Sequence, residues 1–208
     1  MPRKIEKLAV ANRGEVAVRI IRAAQELGME TVLLHSEPDV NSLAYRLADE
    51  CVLIGGGPAA ESYLNIEMNI NAAIASGADA VHPGFGFLSE NADFAEAVEK
   101  ARLIFVGPSP ESIRLFGDKI SAKNLVKRAG GPVIPGYEGE DQSDAKLLTE
   151  AKRIGYPVMV RAGFALGGQG SGLATSEKEL TEKLHEAFSA SPQVLIEEYL
   201  YGWKEVEY

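Results

Sequence analysis

Apolar positions in the first 107 residues follow two alternating rhythms. Short continuous runs have the length and composition of buried strands: Lys7-Leu8-Ala9-Val10-Ala11, Thr31-Val32-Leu33-Leu34, Cys51-Val52-Leu53-Ile54, Asp79-Ala80-Val81 and Leu103-Ile104-Phe105-Val106. Between them the spacing turns helical. From Glu15 to Leu27 the residues Val16, Ile20, Ala23, Ala24 and Leu27 share a face, and Gly28 stands where a C-cap belongs. Further helices are expected around Ser42–Ala48, over Asn65–Ala75 and over Asn91–Ala101. Apolar strands alternating with helices predict an α/β unit with a parallel sheet covered on both faces. Ligands in such sheets sit beyond the carboxyl ends of the strands, here the turns Asn12–Glu15, Gly55–Pro58 and His82–Gly86.

The second half has a different punctuation. Helices are predicted near Ser109–Phe116 and Asp118–Ala129, followed by a glycine- and proline-dense loop, Gly130–Gly139, that reads as a hinge into a second unit. A helix over Asp144–Ile154 leads to a strand, Pro157–Arg161, and then to a glycine-rich segment, Gly163–Gly172. A helix over Glu177–Phe188, a strand over Gln193–Glu197 and a strand-like run from Lys204 to Tyr208 complete the pattern. The sequence contains no internal repeat and no low-complexity tract.

Composition narrows the class. With 46% hydrophobic and 25% charged residues the chain reads as an ordinary globular protein, and a net charge of −9 argues against duplex nucleic acid or an anionic membrane as main partner. A small basic pocket for phosphate remains compatible with it. No apolar run approaches the roughly 20 residues of a membrane span, and Met1–Glu6 lacks a signal-peptide apolar region. Cys51 has no second cysteine to pair with, so a reducing, cytoplasmic location is expected.

Four glycines within six positions (167, 168, 170 and 172) leave backbone N–H groups able to approach phosphate oxygens closely. The segment is neither a Walker A loop nor a GxGxxG opening a helix, and a hairpin loop without a ligand is the competing reading. Arg161, ending an apolar strand just before this segment, is placed to hold a phosphate, unless it merely snorkels from a strand edge. Lys119, at a predicted helix start, is either a second phosphate contact or an exposed lysine. Glu197 and Glu198 must point to opposite faces of a strand, as must Lys204 and Glu205, so one of each pair can face a cleft, a solvated edge strand being the default reading. The three histidines lack zinc-binding spacing, and neither Ser89 nor Ser171 sits in a nucleophile motif.

Several stretches together carry a resemblance. Ala11-Asn12-Arg13-Gly14-Glu15, His82-Pro83-Gly84-Phe85-Gly86-Phe87-Leu88-Ser89-Glu90-Asn91, Phe105-Val106-Gly107-Pro108 and Gly117-Asp118-Lys119, followed by Ser121-Ala122-Lys123, closely resemble the N-terminal domain of biotin carboxylases, over about residues 4–138. From about residue 150 the likeness shifts. Pro157-Val158-Met159-Val160-Arg161, Phe164–Gly172 and Gly202-Trp203-Lys204-Glu205-Val206-Glu207-Tyr208 resemble the large subunit of carbamoyl phosphate synthetase. Phe85 stands where biotin carboxylases commonly carry tyrosine, and Arg161 and Glu198 where they carry lysine.

Both relatives are ATP-grasp ligases. The resemblance implies a Rossmann-like parallel-sheet pre-ATP-grasp domain, residues 1–117, followed by the first part of an ATP-grasp domain, residues 118–208. It further implies that ATP, with Mg2+, phosphorylates bicarbonate to carboxyphosphate and that biotin is then carboxylated, the partners being a biotin carrier, a carboxyltransferase and a second copy in a dimer. Carried over by position, Lys119 and Arg161 contact ATP phosphates while the segment with Gly163, Gly167, Gly168 and Gly170 closes over them. Glu198, with the backbone of Tyr199 and Leu200, meets the adenine, and Glu205 the ribose. The metal and bicarbonate ligands of both families are expected beyond Tyr208, so these 208 residues alone are expected not to complete the reaction. A carbamoyl-phosphate-synthetase-like ligase and a non-catalytic nucleotide-binding or assembly module are the alternatives. Arg19, Arg22 and Glu26 share one helix face that joins the dimer interface in biotin carboxylases, and a solvated face is the competing reading.

Overall fold

The predicted strands assemble as their uniform apolarity requires. β1 (Lys7–Val10), β2 (Glu30–Ser36), β3 (Glu50–Gly55), β4 (Ala80–His82) and β5 (Ile104–Phe105) lie in the order β3-β2-β1-β4-β5, every adjacent pair parallel. α1 (Gly14–Glu26), α2 (Leu43–Leu47), α3 (Ile66–Ala75) and α4 (Ala92–Lys100) connect them. Successive residues of one strand serve opposite cores. Ala9 packs with Ala72, Ala73, Phe94 and Val98 of α3 and α4, whereas Val10 packs with Ala17, Ile21 and Ala44 of α1 and α2. Both faces are thus covered. The start of three helices is fixed by sequence alone: Ser42, Asn65 and Asn91 accept the N–H groups of Tyr45, Met68 and Phe94, caps worth about 1 kcal/mol each.

This computed structural model describes residues 4–117, 119–163, 170–204 and 206, and the backbone but not the side chain of Lys119. The chain divides into two compact units, Met1–Arg114 and Leu115–Tyr208. α5 (Pro110–Gly117) and α6 (Lys119–Arg128) follow the parallel sheet in sequence. In the second unit β6 (Gly136–Tyr137), β7 (Val158–Ala162), β8 (Gly172–Ala174) and β9 (Val194–Glu198) form an antiparallel sheet in the order β6-β9-β7-β8. α7 (Asp144–Ile154) and α8 (Glu177–Ala190) cover one face of it, burying Leu147, Ala151, Leu180, Leu184 and Ala187 against Val158, Val160, Val194 and Ile196.

The stretch 130–139, expected to be loop, contains β6. Its two residues gain strand character only by pairing with Glu197 and Ile196, some 60 positions away, which no local pattern announces. Of the expected run Lys204–Tyr208, Lys204 and Val206 carry no strand and the other positions lie outside the described residues.

The switch point of the parallel sheet, between β1 and β4, is filled by the protein itself. Buried Asn12 donates to the carbonyl oxygens of Pro83 (2.7 Å) and Phe85 (2.9 Å). Beside it, Asp39 accepts from Ser36 Oγ at 2.6 Å and Tyr63 Oη at 2.8 Å and pairs with Arg13 at 2.8 Å. Burial alone would raise the Asp39 carboxyl, but the two hydroxyls and Arg13 outweigh it and hold it below the ordinary value of 3.8. A folded-state pKa below the unfolded one stabilises the fold above that ordinary value, and the contribution is lost as pH falls through the folded pKa. Asp39→Asn is therefore expected to lower the urea-unfolding free energy at pH 7 by about 1–3 kcal/mol, the gap to the unsubstituted protein narrowing as pH falls below the ordinary carboxyl value of 3.8.

Candidate functional site

Strand alternation builds the site. In β7, Val158 and Val160 face α7 and α8, so Met159 and Arg161 project from the other side of the sheet. In β9, Val194 and Ile196 face the helices, and Leu195 and Glu197 take the opposite side. The antiparallel register sets Met159 against Glu197 and Arg161 against Leu195, which leaves Arg161 and Glu197 diagonal neighbours. Arg161 Nε lies 3.1 Å from Glu197 Oε2. The other carboxylate oxygen of Glu197 is 3.0 Å from Lys123 Nζ, a residue of α6, and Lys123 also lies 3.3 Å from Glu138 Oε2. Charges alternate along this line, Glu138, Lys123, Glu197, Arg161. The first three side chains are 13%, 9% and 10% exposed, and Arg161 is 44% exposed.

Arg161 thus stands at the mouth of a cleft of about 280 Å³. Ile134, Met159 and Leu200 give it apolar walls, Glu197 and Glu198 an acidic side, and Trp203 and Lys204 an outer edge. An apolar slot with a few polar groups and one guanidinium suits a flat aromatic ligand bearing an anionic tail.

Of the residues singled out from sequence, Arg161, Glu198, Tyr199 and Leu200 line this one cleft. Glu198 is exposed, while its N–H donates to the Pro135 carbonyl at 2.9 Å; the carboxylate that the sheet buries is Glu197. Gly163 anchors one end of the glycine-rich segment, its N–H committed to the Gln193 carbonyl at 2.8 Å. Gly170 anchors the other, with φ of +67° and its Cα directed so that a Cβ would lie 3.0 Å from Ala190 Cβ and 3.2 Å from Ala187 Cα. Gly167, Gly168 and Glu205 lie outside the described residues, as does the Lys119 side chain. Lys123 and Glu138 were assigned no role from sequence, and Glu197 was not chosen over Glu198. The uninterrupted run Val194-Leu195-Ile196 ahead of Glu197 was the available signal, because period two places Glu197 with Leu195 on one face.

A larger cavity, about 560 Å³, runs along α1 in the first unit. It is lined almost wholly by aliphatic side chains, with Glu15, Arg19 and His82 as polar exceptions, and it offers no cluster of charge. Burial pushes the His82 imidazole below its ordinary value, and its Nδ1 accepts from the Gly84 N–H at 3.0 Å, so it is neutral at pH 7. Arg19, Arg22 and Glu26 are all exposed. Among the described residues no three His, Cys, Asp or Glu side chains converge to hold a metal ion, and no helix is long and apolar enough to cross a membrane. Lys123 lies within ion-pair distance of both Glu138 and Glu197, and Arg161 within that distance of Glu197, while Glu138 Oε2 is buried without a hydrogen-bond partner among the described residues.

A parallel-sheet unit followed by an antiparallel sheet with a charged cleft on the face away from its two helices defines the class: a Rossmann-like domain ahead of an ATP-grasp fold. The chain belongs to the biotin carboxylase N-terminal domain family, which matches residues 4–113. Residues 118–208 match the ATP-binding domain of the carbamoyl-phosphate synthase L chain, so the two resemblances seen in the sequence fall on different halves. Biotin carboxylase from Haemophilus influenzae is 48% identical over 98% of this chain, and the methylcrotonoyl-CoA carboxylase α subunit of Dictyostelium discoideum 44% identical over 98%. Those alignments take in 47% and 30% of the respective relatives. The chain spans about half the length of the curated biotin carboxylases it matches. Among solved structures, the biotin carboxylase–β,γ-ATP complex from Campylobacter jejuni superposes with a TM-score of 0.85 at 39% identity, covering 94% of this chain and 45% of that one. The biotin carboxylase domain dimer of Hydrogenobacter thermophilus 2-oxoglutarate carboxylase, with MgADP, ADP and bicarbonate, gives 0.84 at 39% identity over 96% of this chain and 45% of that one.

Gly170 ties the glycine-rich segment to α8 through both its backbone conformation and its missing side chain. Gly170→Ala is expected to cost about 1–3 kcal/mol, read as a lower urea midpoint, because it strains the left-handed backbone and crowds Ala187 and Ala190.

Proposed function

We propose that this chain is the N-terminal part of a biotin carboxylase, an ATP-dependent ligase that phosphorylates bicarbonate to carboxyphosphate and carboxylates biotin. Residues 1–117 are its pre-ATP-grasp domain and residues 118–208 the opening part of its ATP-grasp domain. The observation that carries the reading is the Arg161 guanidinium, ion-paired with Glu197 at 3.1 Å and lining an apolar cleft, in a chain nearly half identical to biotin carboxylases.

In this reading the adenine enters between Met159, Leu200 and Ile134, against Glu198 and the backbone of Tyr199 and Leu200, with Glu205 at the ribose. Arg161 and Lys119 hold the phosphates. The segment with Gly167 and Gly168 closes over them from its anchors at Gly163 and Gly170. Phosphoryl transfer depends on holding the attacking oxygen in line and neutralising charge, and these residues supply the nucleotide's half of that arrangement. Magnesium would accompany the triphosphate and neutralise part of its charge. The protein works in the cytoplasm with a biotin carrier, a carboxyltransferase and a second copy of itself; the dimeric biotin carboxylase domain among its structural neighbours and the carboxylase α subunit among its relatives support that assembly.

Trp203 is the chain's one tryptophan and lines the cleft, so its fluorescence reports binding. ATP is expected to quench it without steady release of ADP by the 208-residue chain; clear Mg2+-dependent turnover by that chain would contradict the division of the site proposed here. Arg161→Ala is expected to weaken ATP by about ten-fold or more, about 1.4 kcal/mol, and AMP by much less. Equal losses for the two nucleotides would remove Arg161 from the phosphates.

A further inference from the structure

Resting on the reading of the cleft above, we infer that Lys123 is a positioning residue for nucleotide phosphate, acting through Glu197 on Arg161. It does not line the cleft. Its ammonium is buried between two carboxylates, 3.0 Å from Glu197 Oε1 and 3.3 Å from Glu138 Oε2. Space for it is built into the sheet: a Cβ on Gly136 would stand 2.8 Å from Lys123 Nζ and 2.6 Å from the Ile196 carbonyl oxygen, so the β6–β9 pair admits the ammonium only where a side chain is missing.

Glu197 has two oxygens, and each is assigned. Oε1 faces Lys123, and Oε2 takes Arg161 through Nε. The nearest approach of Arg161 to this carboxylate is through Nε, and a guanidinium approached from that side has its terminal amino groups to offer a second partner. Lys123 enforces that division. Without it, a buried carboxylate would retain one cation and draw it into a two-pronged pair, since buried charge left half-compensated is costly and the guanidinium fork matches both oxygens. Arg161 would then turn its donors inward, away from an incoming phosphate. Glu138 sets the opposite bias. It competes for Lys123, so neutralising Glu138 gives Lys123 wholly to Glu197 and loosens the hold on Arg161.

The test compares ATP with adenosine, both read by Trp203 fluorescence, in the unsubstituted chain, Lys123→Met, Glu197→Gln and the double variant. Lys123→Met is expected to weaken ATP about five-fold or more and adenosine less than about two-fold, the ATP effect falling below about two-fold in the Glu197→Gln background. Glu138→Gln, which keeps Lys123 in place, is expected to tighten ATP about two-fold and to lose that effect in the same background. The Glu138→Gln arm decides the matter should Lys123→Met not fold. Equal loss of ATP and adenosine would make Lys123 a packing residue and overturn the inference. An ATP effect of the same size in both backgrounds would make it a distant charge and overturn it as well. If the unsubstituted chain binds ATP and neither substitution alters it, this inference falls and the nucleotide cleft stands. If the unsubstituted chain binds no nucleotide, the reading of the cleft falls, and this inference with it.

Discussion

A carboxylate taken almost out of water has to find positive charge, and Glu197 finds it on two sides. Lys123 and Arg161 reach it from a helix and from the neighbouring strand. Leaving such a group with one partner or none costs several kcal/mol, so the pairing fixes side-chain positions as firmly as apolar packing does. It also fixes what is left over. Arg161 is the member of the chain of charges that remains substantially exposed, and it is exposed at the cleft.

The two units treat the open ends of their strands differently. In the parallel sheet the switch point is an obvious place for a ligand, yet Asn12 spends both amide hydrogens on the turn after β4, and Asp39 gathers Ser36, Tyr63 and Arg13 beside it. That edge is structural. In the antiparallel sheet one face is sealed by α7 and α8, and the other presents Met159, Arg161 and Glu197 with apolar neighbours around them. The larger apolar cavity along α1 carries volume without convergent charge, and chemistry on phosphate needs the charge.

Much of the architecture was legible because it rests on local periodicity. Helix starts at Ser42, Asn65 and Asn91 followed from capping chemistry, and α7 fell on the residues its apolar spacing marked. β6 was illegible for a definite reason: Gly136 and Tyr137 form a strand only because β9 is there to pair with. The site was legible in part. Arg161 stood out through its place at a strand end, and the resemblance assigned it, with the backbone of Tyr199 and Leu200, to a nucleotide. Lys123 stood in the sequence only as part of the family match, without a role, and Glu138 gave no signal, since their importance lies in each other and in Glu197, across gaps of 15 and 74 residues.

The sequence by itself determined the alternation of strand and helix, the parallel sheet of the first half, the family, and a guanidinium beside a glycine-rich turn. These follow from side-chain spacing and backbone freedom, which act within a few residues. Only the tertiary structure decided which of two adjacent glutamates is buried, which lysine neutralises it, and which crevice its own residues fill. Register and long-range charge pairing settle those matters, because a carboxylate's partner is whatever cation the fold brings within about 3 Å, wherever it lies in the chain.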